Sequence, residues 1–193
     1  MATHVEVLTA RPFASDRAES IPWTLWCMAL ACTSAIIGAH WDISWHSSIG
    51  RDNFWTPAHI AIYLCGVFGG ISSGWLIFSN TFNIGAPDRS SAVRIFGLKA
   101  PLGAFLVAWG GLAMLMSAPF DDWWHSAYGL DVKIISPPHV LLIFGFLMTQ
   151  VGSLILALGE MNRATPEKRK RLEKLFLYLG GLILITLTIL ILE

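Results

Sequence analysis

The chain has 193 residues, and only 13% of them are charged, against about 25% in a soluble domain. Its formal net charge is zero, which excludes a global basic or acidic signal for nucleic acid or acidic partners. With 54% hydrophobic residues, the composition predicts a chain whose solvent is lipid.

Residues 1–20 are polar and mixed in charge, unlike the basic-then-apolar layout of a cleaved leader. They read as a cytoplasmic tail. Five apolar stretches follow, at about 21–44, 57–80, 101–118, 138–160 and 175–192. Each approaches the roughly 20 residues that span hydrocarbon, and within lipid such stretches must be helices that satisfy their own backbone. Pro119 is expected to kink or restart the third. The fold class is therefore an all-α membrane protein of about five transmembrane helices. Its parts are the tail, a first two-helix unit over 21–80, a loop over 81–100, a second unit over 101–160, a basic loop over 161–174 and a fifth helix over 175–193. Cys27, Cys32 and Cys65 lie within apolar runs without a CxxC. They read as small buried thiols.

Lysine and arginine set the orientation. Eleven of the thirteen fall in the tail (Arg11, Arg17), in the 81–100 loop or in the 161–174 loop. The alternate loops hold only Arg51 and Lys133. This predicts a cytoplasmic N-terminus, with residues near 41–56 and 119–137 on the outer side. The same rule accounts for the run at 168–171 without a nucleic-acid or lipid-patch reading.

Those two outer loops repeat a pattern. Asp42 to His59 reads DISWHSSIGRDNFWTPAH, and Asp121 to His139 reads DDWWHSAYGLDVKIISPPH. Aligning His46 with His125 matches Asp42 with Asp121, Trp45 with Trp124, Gly50 with Gly129 and Asp52 with Asp131. One inserted residue later, Thr56-Pro57-x-His59 matches Ser136-Pro137-x-His139. Both copies follow an odd-numbered span and enter an even-numbered one, so the expected repeat is parallel, with two helices per unit.

An Asp and a His four apart share one helix face. Thr56 and Ser136 are expected N-caps, with Pro57 and Pro137 at the first helical position. His59 and His139 then fall in the first turn of the next helix, whose positive end favours neutral imidazole. Each unit can thus form a two-histidine, one-carboxylate set with metal positions left open. Asp42, His46 and His59 form the first candidate set; Asp121, His125 and His139 form the second. Asp52 and Asp131 are possible outer partners of a histidine, or loop residues. An isolated histidine near a membrane interface is ordinarily structural, and Trp45, Trp55, Trp123 and Trp124 read first as an aromatic belt. Repetition argues against that bland reading for the histidines, since four of six occupy equivalent repeat positions and each pair has its own carboxylate, four residues before His46 or His125. His4 and His40 have no counterpart and read as incidental. The outer loops also carry a local excess of Asp42, Asp52, Asp121, Asp122 and Asp131 over Arg51 and Lys133, which favours a cation.

The segment DISWHSSIGRDNFWTPAHI resembles the metal-site segment of the C subunit of copper membrane monooxygenases, the particulate methane and ammonia monooxygenases. The matching ligand positions are Asp42, His46 and His59. The second segment resembles that family's neighbouring site, with His125 and His139 matched and Asp121 standing where the family carries an amide. The likeness covers about 42–63 and 119–145. It implies copper, a bacterial inner membrane, and an oligomeric complex with other monooxygenase subunits, one bearing cupredoxin domains on the outer side. It also implies oxygen activation and hydroxylation of a small apolar or neutral substrate. Ligand chemistry alone admits zinc or non-haem iron equally. The alternatives are a copper or zinc transporter or assembly factor, and a structural subunit whose metals staple helices.

Overall fold

The computed structural model describes residues 20–50, 53–85, 92–129 and 136–192. Five long helices run through them: α1 (Trp23–Ser48), α2 (Pro57–Phe82), α3 (Leu102–Tyr128), α4 (Pro137–Met161) and α5 (Pro166–Leu192). All five are long and apolar enough to cross a membrane. The 26 residues of α1 rise about 39 Å, more than the roughly 30 Å of a hydrocarbon core. Large apolar side chains such as Leu30, Phe78 and Leu184 face outward, as a lipid-facing surface requires.

Three boundaries differ from the hydropathy reading. First, α3 does not stop or restart at Pro119 but runs through it to Tyr128, at the cost of one hydrogen bond to the preceding turn. Second, most of the expected basic loop over 161–174 is the start of α5. Proline suits a first helical position, and the Thr165 hydroxyl accepts the Lys168 N–H at 3.4 Å. Glu167 sits in the first turn, and Arg169 pairs with Glu173 one turn on, so the run is a charged helix entry. Third, the all-helical bundle carries one short accessory outside its helices. The expected 81–100 loop contains part of a hairpin, β1 (Ala92–Ile95) against β2 (Leu98–Pro101). It turns at Phe96 and Gly97, both with positive φ, as a two-residue hairpin turn demands. Thr81 holds it to α2, accepting the Lys99 N–H at 2.9 Å and donating to the Lys99 carbonyl at 3.2 Å.

Packing is most extensive between α3 and α4, then between α1 and α2, and α2 packs on α3. α3 and α4 approach to backbone contact. A Cβ placed on Gly110 would lie 2.6 Å from the Gly145 carbonyl oxygen, and one on Gly145 would lie 2.8 Å from that of Gly110. Gly103 and Gly152 oppose each other in the same way, at 2.4 and 2.6 Å. Small residues at such crossings let helices associate without a hydrophobic driving force, as membrane packing requires. Against this pair, α5 is fastened by Gln150, whose buried amide exchanges hydrogen bonds with the Thr186 hydroxyl at 2.8 and 3.1 Å. The three cysteines are free, Cys32 and Cys65 buried and Cys27 partly so.

Candidate metal centre

Because α1 continues to Ser48, Asp42 and His46 lie one turn apart on its last two turns. α2 begins at Pro57 and puts His59 in its first turn. The second motif is laid out alike, with Asp121 and His125 at the end of α3 and His139 in the first turn of α4. The expected side-chain caps do not form at either entry. The Thr56 hydroxyl instead donates back to the Asn53 carbonyl at 2.8 Å and accepts the Asn53 N–H at 2.9 Å. That closes the turn entering α2 and leaves the helix N-terminus to proline.

In each motif the carboxylate stands between two imidazoles. Asp42 Oδ2 lies 3.8 Å from His46 Nε2, and Asp42 Oδ1 lies 3.2 Å from His59 Nε2. Asp121 Oδ2 lies 3.4 Å from His125 Nε2, and Asp121 Oδ1 lies 3.5 Å from His139 Nε2. The predicted residues therefore come together as two Asp–His–His triads, each joining the end of one helix to the start of the next. Neither is closed into a coordination sphere: among the described residues, no set of three His, Cys, Asp or Glu side chains stands ready to hold a metal ion. The donor types nevertheless fit one. With metal–ligand bonds of about 2.0–2.1 Å, the edge between two ligands of a tetrahedral site is about 3.3–3.4 Å, close to the separations above.

Both triads border one cavity of about 1050 Å³, whose walls include Asp42, His59, Asp121, His125 and His139. His46 is not among those walls, and its side chain is 44% exposed. The cavity continues between α2 and α3 along Gly66, Gly70 and Gly74 on one side and Gly111 on the other. A Cβ at any of these glycines would meet nothing within 4 Å, so the missing side chains widen the space. Below the triads the walls are glycine, serine, alanine, valine, leucine and methionine. Among the described residues no His, Cys, Asp or Glu lines that part.

Two wall residues escaped the motif reading. Tyr63 lies with its ring tilted 44° to that of His59, centroids 6.2 Å apart, and donates its hydroxyl to the Phe54 carbonyl at 3.0 Å. Its place four residues after His59 on one helix face was the available signal. Asn53 precedes the helix entry and accepts the Trp55 N–H at 2.9 Å. His40 lies outside the cavity walls, with its ring nitrogen 2.9 Å from the Ile36 carbonyl oxygen of its own helix. Asp52 and Asp131, together with His4, Arg51 and Lys133, lie outside the described residues. Aromatic residues mark both ends of the bundle. Trp23 meets Trp75 at 6.2 Å at one end, and Trp124 meets Tyr128 at 4.5 Å at the other. From Trp23 to Trp45 is about 33 Å of helix, near the spacing of the two interfaces of a bilayer. No protein family matches the chain, and no curated protein or solved structure matches it.

Proposed function

We propose that this chain is a membrane metal-binding subunit resembling the C subunit of copper-dependent monooxygenases, built from two parallel two-helix repeats. The observation that carries this reading is the single cavity bordered by both triads. Asp42, His46 and His59 would hold one ion; Asp121, His125 and His139 would hold another. Copper bound there supplies oxygen activation, with zinc and non-haem iron as the other metals that the donors suit. The chain's own part is to present imidazoles from the first turns of α2 and α4, to supply one carboxylate per triad, and to wall the space with apolar side chains. A small apolar or neutral substrate fits such a space. The resemblance adds an oligomeric complex with other subunits, one of them carrying cupredoxin domains outside the membrane.

The test is metal analysis of the purified protein with spectroscopy of the bound ion, followed by oxygen uptake with candidate partner subunits. Copper bound at the histidines and oxygen-dependent turnover are expected. Metal without turnover would reduce the chain to a metal-stapled structural subunit. The direct Asp–His contacts favour a second reading, in which each triad clasps two helices without metal, and unaltered protein free of metal would decide for it. Transport or metal delivery has less support, because charged and imidazole donors are confined to one end of the cavity.

Orientation follows the basic residues, with the triads toward the outer side of a bacterial inner membrane and the N-terminus in the cytoplasm. A cysteine introduced at Ser48 is expected to react with an impermeant thiol reagent on intact cells, and one at Thr165 is not. The opposite labelling would reverse the topology and place the triads on the cytoplasmic side.

A further inference from the structure

The hairpin between α2 and α3 carries two features that membrane orientation alone does not require. The first is a charge pair. Arg94 of β1 faces Lys99 of β2 directly across the ribbon. Both are exposed, on the side away from Ile95, Leu98 and Ala100, which pack on the core. Like charges set opposite each other, with Cβ atoms about 5 Å apart, destabilise a ribbon. Among the described residues neither cation has an acidic partner; the carboxylates of Glu160 and Glu173 are taken by Arg163, Lys168 and Arg169. The second feature is the turn. Phe96 takes a φ of 49° beside Gly97 at 84°, a place that favours Asn-Gly and is unusual for a bulky residue. The Phe96 side chain is 94% exposed, so contacts within the chain offset little of that cost. The ribbon is also fixed in place, because Thr81 bonds both the N–H and the carbonyl of Lys99 and β2 runs straight into α3. Phe82 at the end of α2 and Leu102 at the start of α3 are exposed, so the hairpin sits where the apolar surface of the bundle ends.

We propose that this hairpin docks on the phosphates of anionic phospholipids, with Phe96 inserted among the headgroups. A phosphate between Arg94 and Lys99 turns their repulsion into charge-assisted hydrogen bonds. A lipid surface also accepts an aromatic ring at headgroup level, which a free phosphate does not. The cytoplasmic leaflet, where the basic residues place this end of the bundle, carries the negative surface potential. A protein partner would have to bring both an acid and an apolar pocket to this spot; the bilayer supplies both at the level where the hairpin already lies. The inference rests on the membrane-spanning helices and is independent of the triads.

The test follows amide hydrogen exchange of residues 93–99 in the full chain, held in nanodiscs of phosphatidylcholine or of an equal mixture with phosphatidylglycerol. Exchange is expected to be about thirtyfold slower in the anionic discs, since each of the two cations near such a surface is worth about 1 kcal/mol. The difference should vanish in the double variant Arg94→Gln/Lys99→Gln. Phe96→Asn suits the turn better; it should slow exchange in the neutral discs and diminish the effect of anionic lipid. Equal exchange of the unaltered protein in the two lipids would overturn the proposal, and so would a lipid effect that survives the double variant. Glycerophosphate that slows exchange as much in neutral discs would assign the pair to a soluble phosphate ester. Slowing that appears only when another protein is added would assign the hairpin to a protein surface. Either outcome overturns the lipid site.

Discussion

If the triads hold metal as proposed, replacing His46 and His125 together by alanine is expected to strip it from the purified protein, whereas His40→Ala leaves the content unchanged. Each triad has three donors, and each of these histidines stands beside the carboxylate of its own helix. Loss of an outer partner already costs about 10–100-fold in metal affinity, and loss of a donor itself costs more. The single changes should each remove about one equivalent of the two that full occupancy implies. His59→Ala, His139→Ala and Asp42→Ala belong to the same series and should each empty the triad they belong to. Metal analysis of dialysed protein reads the result directly. A stoichiometry that survives the double change would leave the triads as helix clasps, and the ion would then lie elsewhere. His40 is the control because its ring nitrogen pairs with a carbonyl oxygen of its own helix and it lies outside the walls of the cavity.

Asp121→Asn is expected to weaken the second step of a metal titration by about tenfold or more. Both triads border one cavity, so with metals bound as proposed the second ion would enter against the field of the first. Two unit charges about 4 Å apart interact by about 4 kcal/mol at an effective dielectric of 20. A third of that is already about a factor of ten. Asn keeps the shape of the side chain and its capacity to donate or accept toward His125 and His139, but it removes the compensating charge. The first step, carried by Asp42, His46 and His59, should stay within about twofold. Titration by calorimetry, with magnetic coupling between the ions as the sign of proximity, measures both steps. An unchanged second step would rule out charge compensation at Asp121, and two uncoupled, independent ions would argue against a common centre.

The helical bundle was largely legible because lipid imposes a simple rule. Runs of about twenty apolar residues must be helices, and all five appear. Hydropathy stops reading at the headgroups, however, where helices continue as amphipathic or charged turns. That is why α3 proves to reach Tyr128 and α5 to begin at Pro166. The spacing of Asp42 to His46, and of Pro57 to His59, carried the triads, since a four-residue interval and a proline at a helix start translate directly into geometry. The hairpin at Ala92–Pro101 depended on two adjacent positive-φ residues, Phe96 and Gly97, and phenylalanine gives no warning of such a conformation. The cavity between α2 and α3 was illegible for another reason. Gly66, Gly70 and Gly74 can equally mark a close helix crossing, as Gly103 and Gly110 do, and only the position of the neighbour distinguishes the two.

Pro119 has a mechanical consequence. In α1 the chain runs from the bundle interior to Asp42 and His46 through unbroken backbone hydrogen bonds, a stiff strut. In α3 the proline removes one of those bonds just two residues before Asp121. The segment bearing Asp121 and His125 is therefore a compliant arm, mounted beyond a rigid base where Gly110 is clamped on Gly145. Two triads of similar composition then differ in stiffness: on the proposed reading, the one on the strut would keep its shape before an ion arrives, and the one on the arm would adjust around it. Filling should accordingly proceed in order, strut first and arm second.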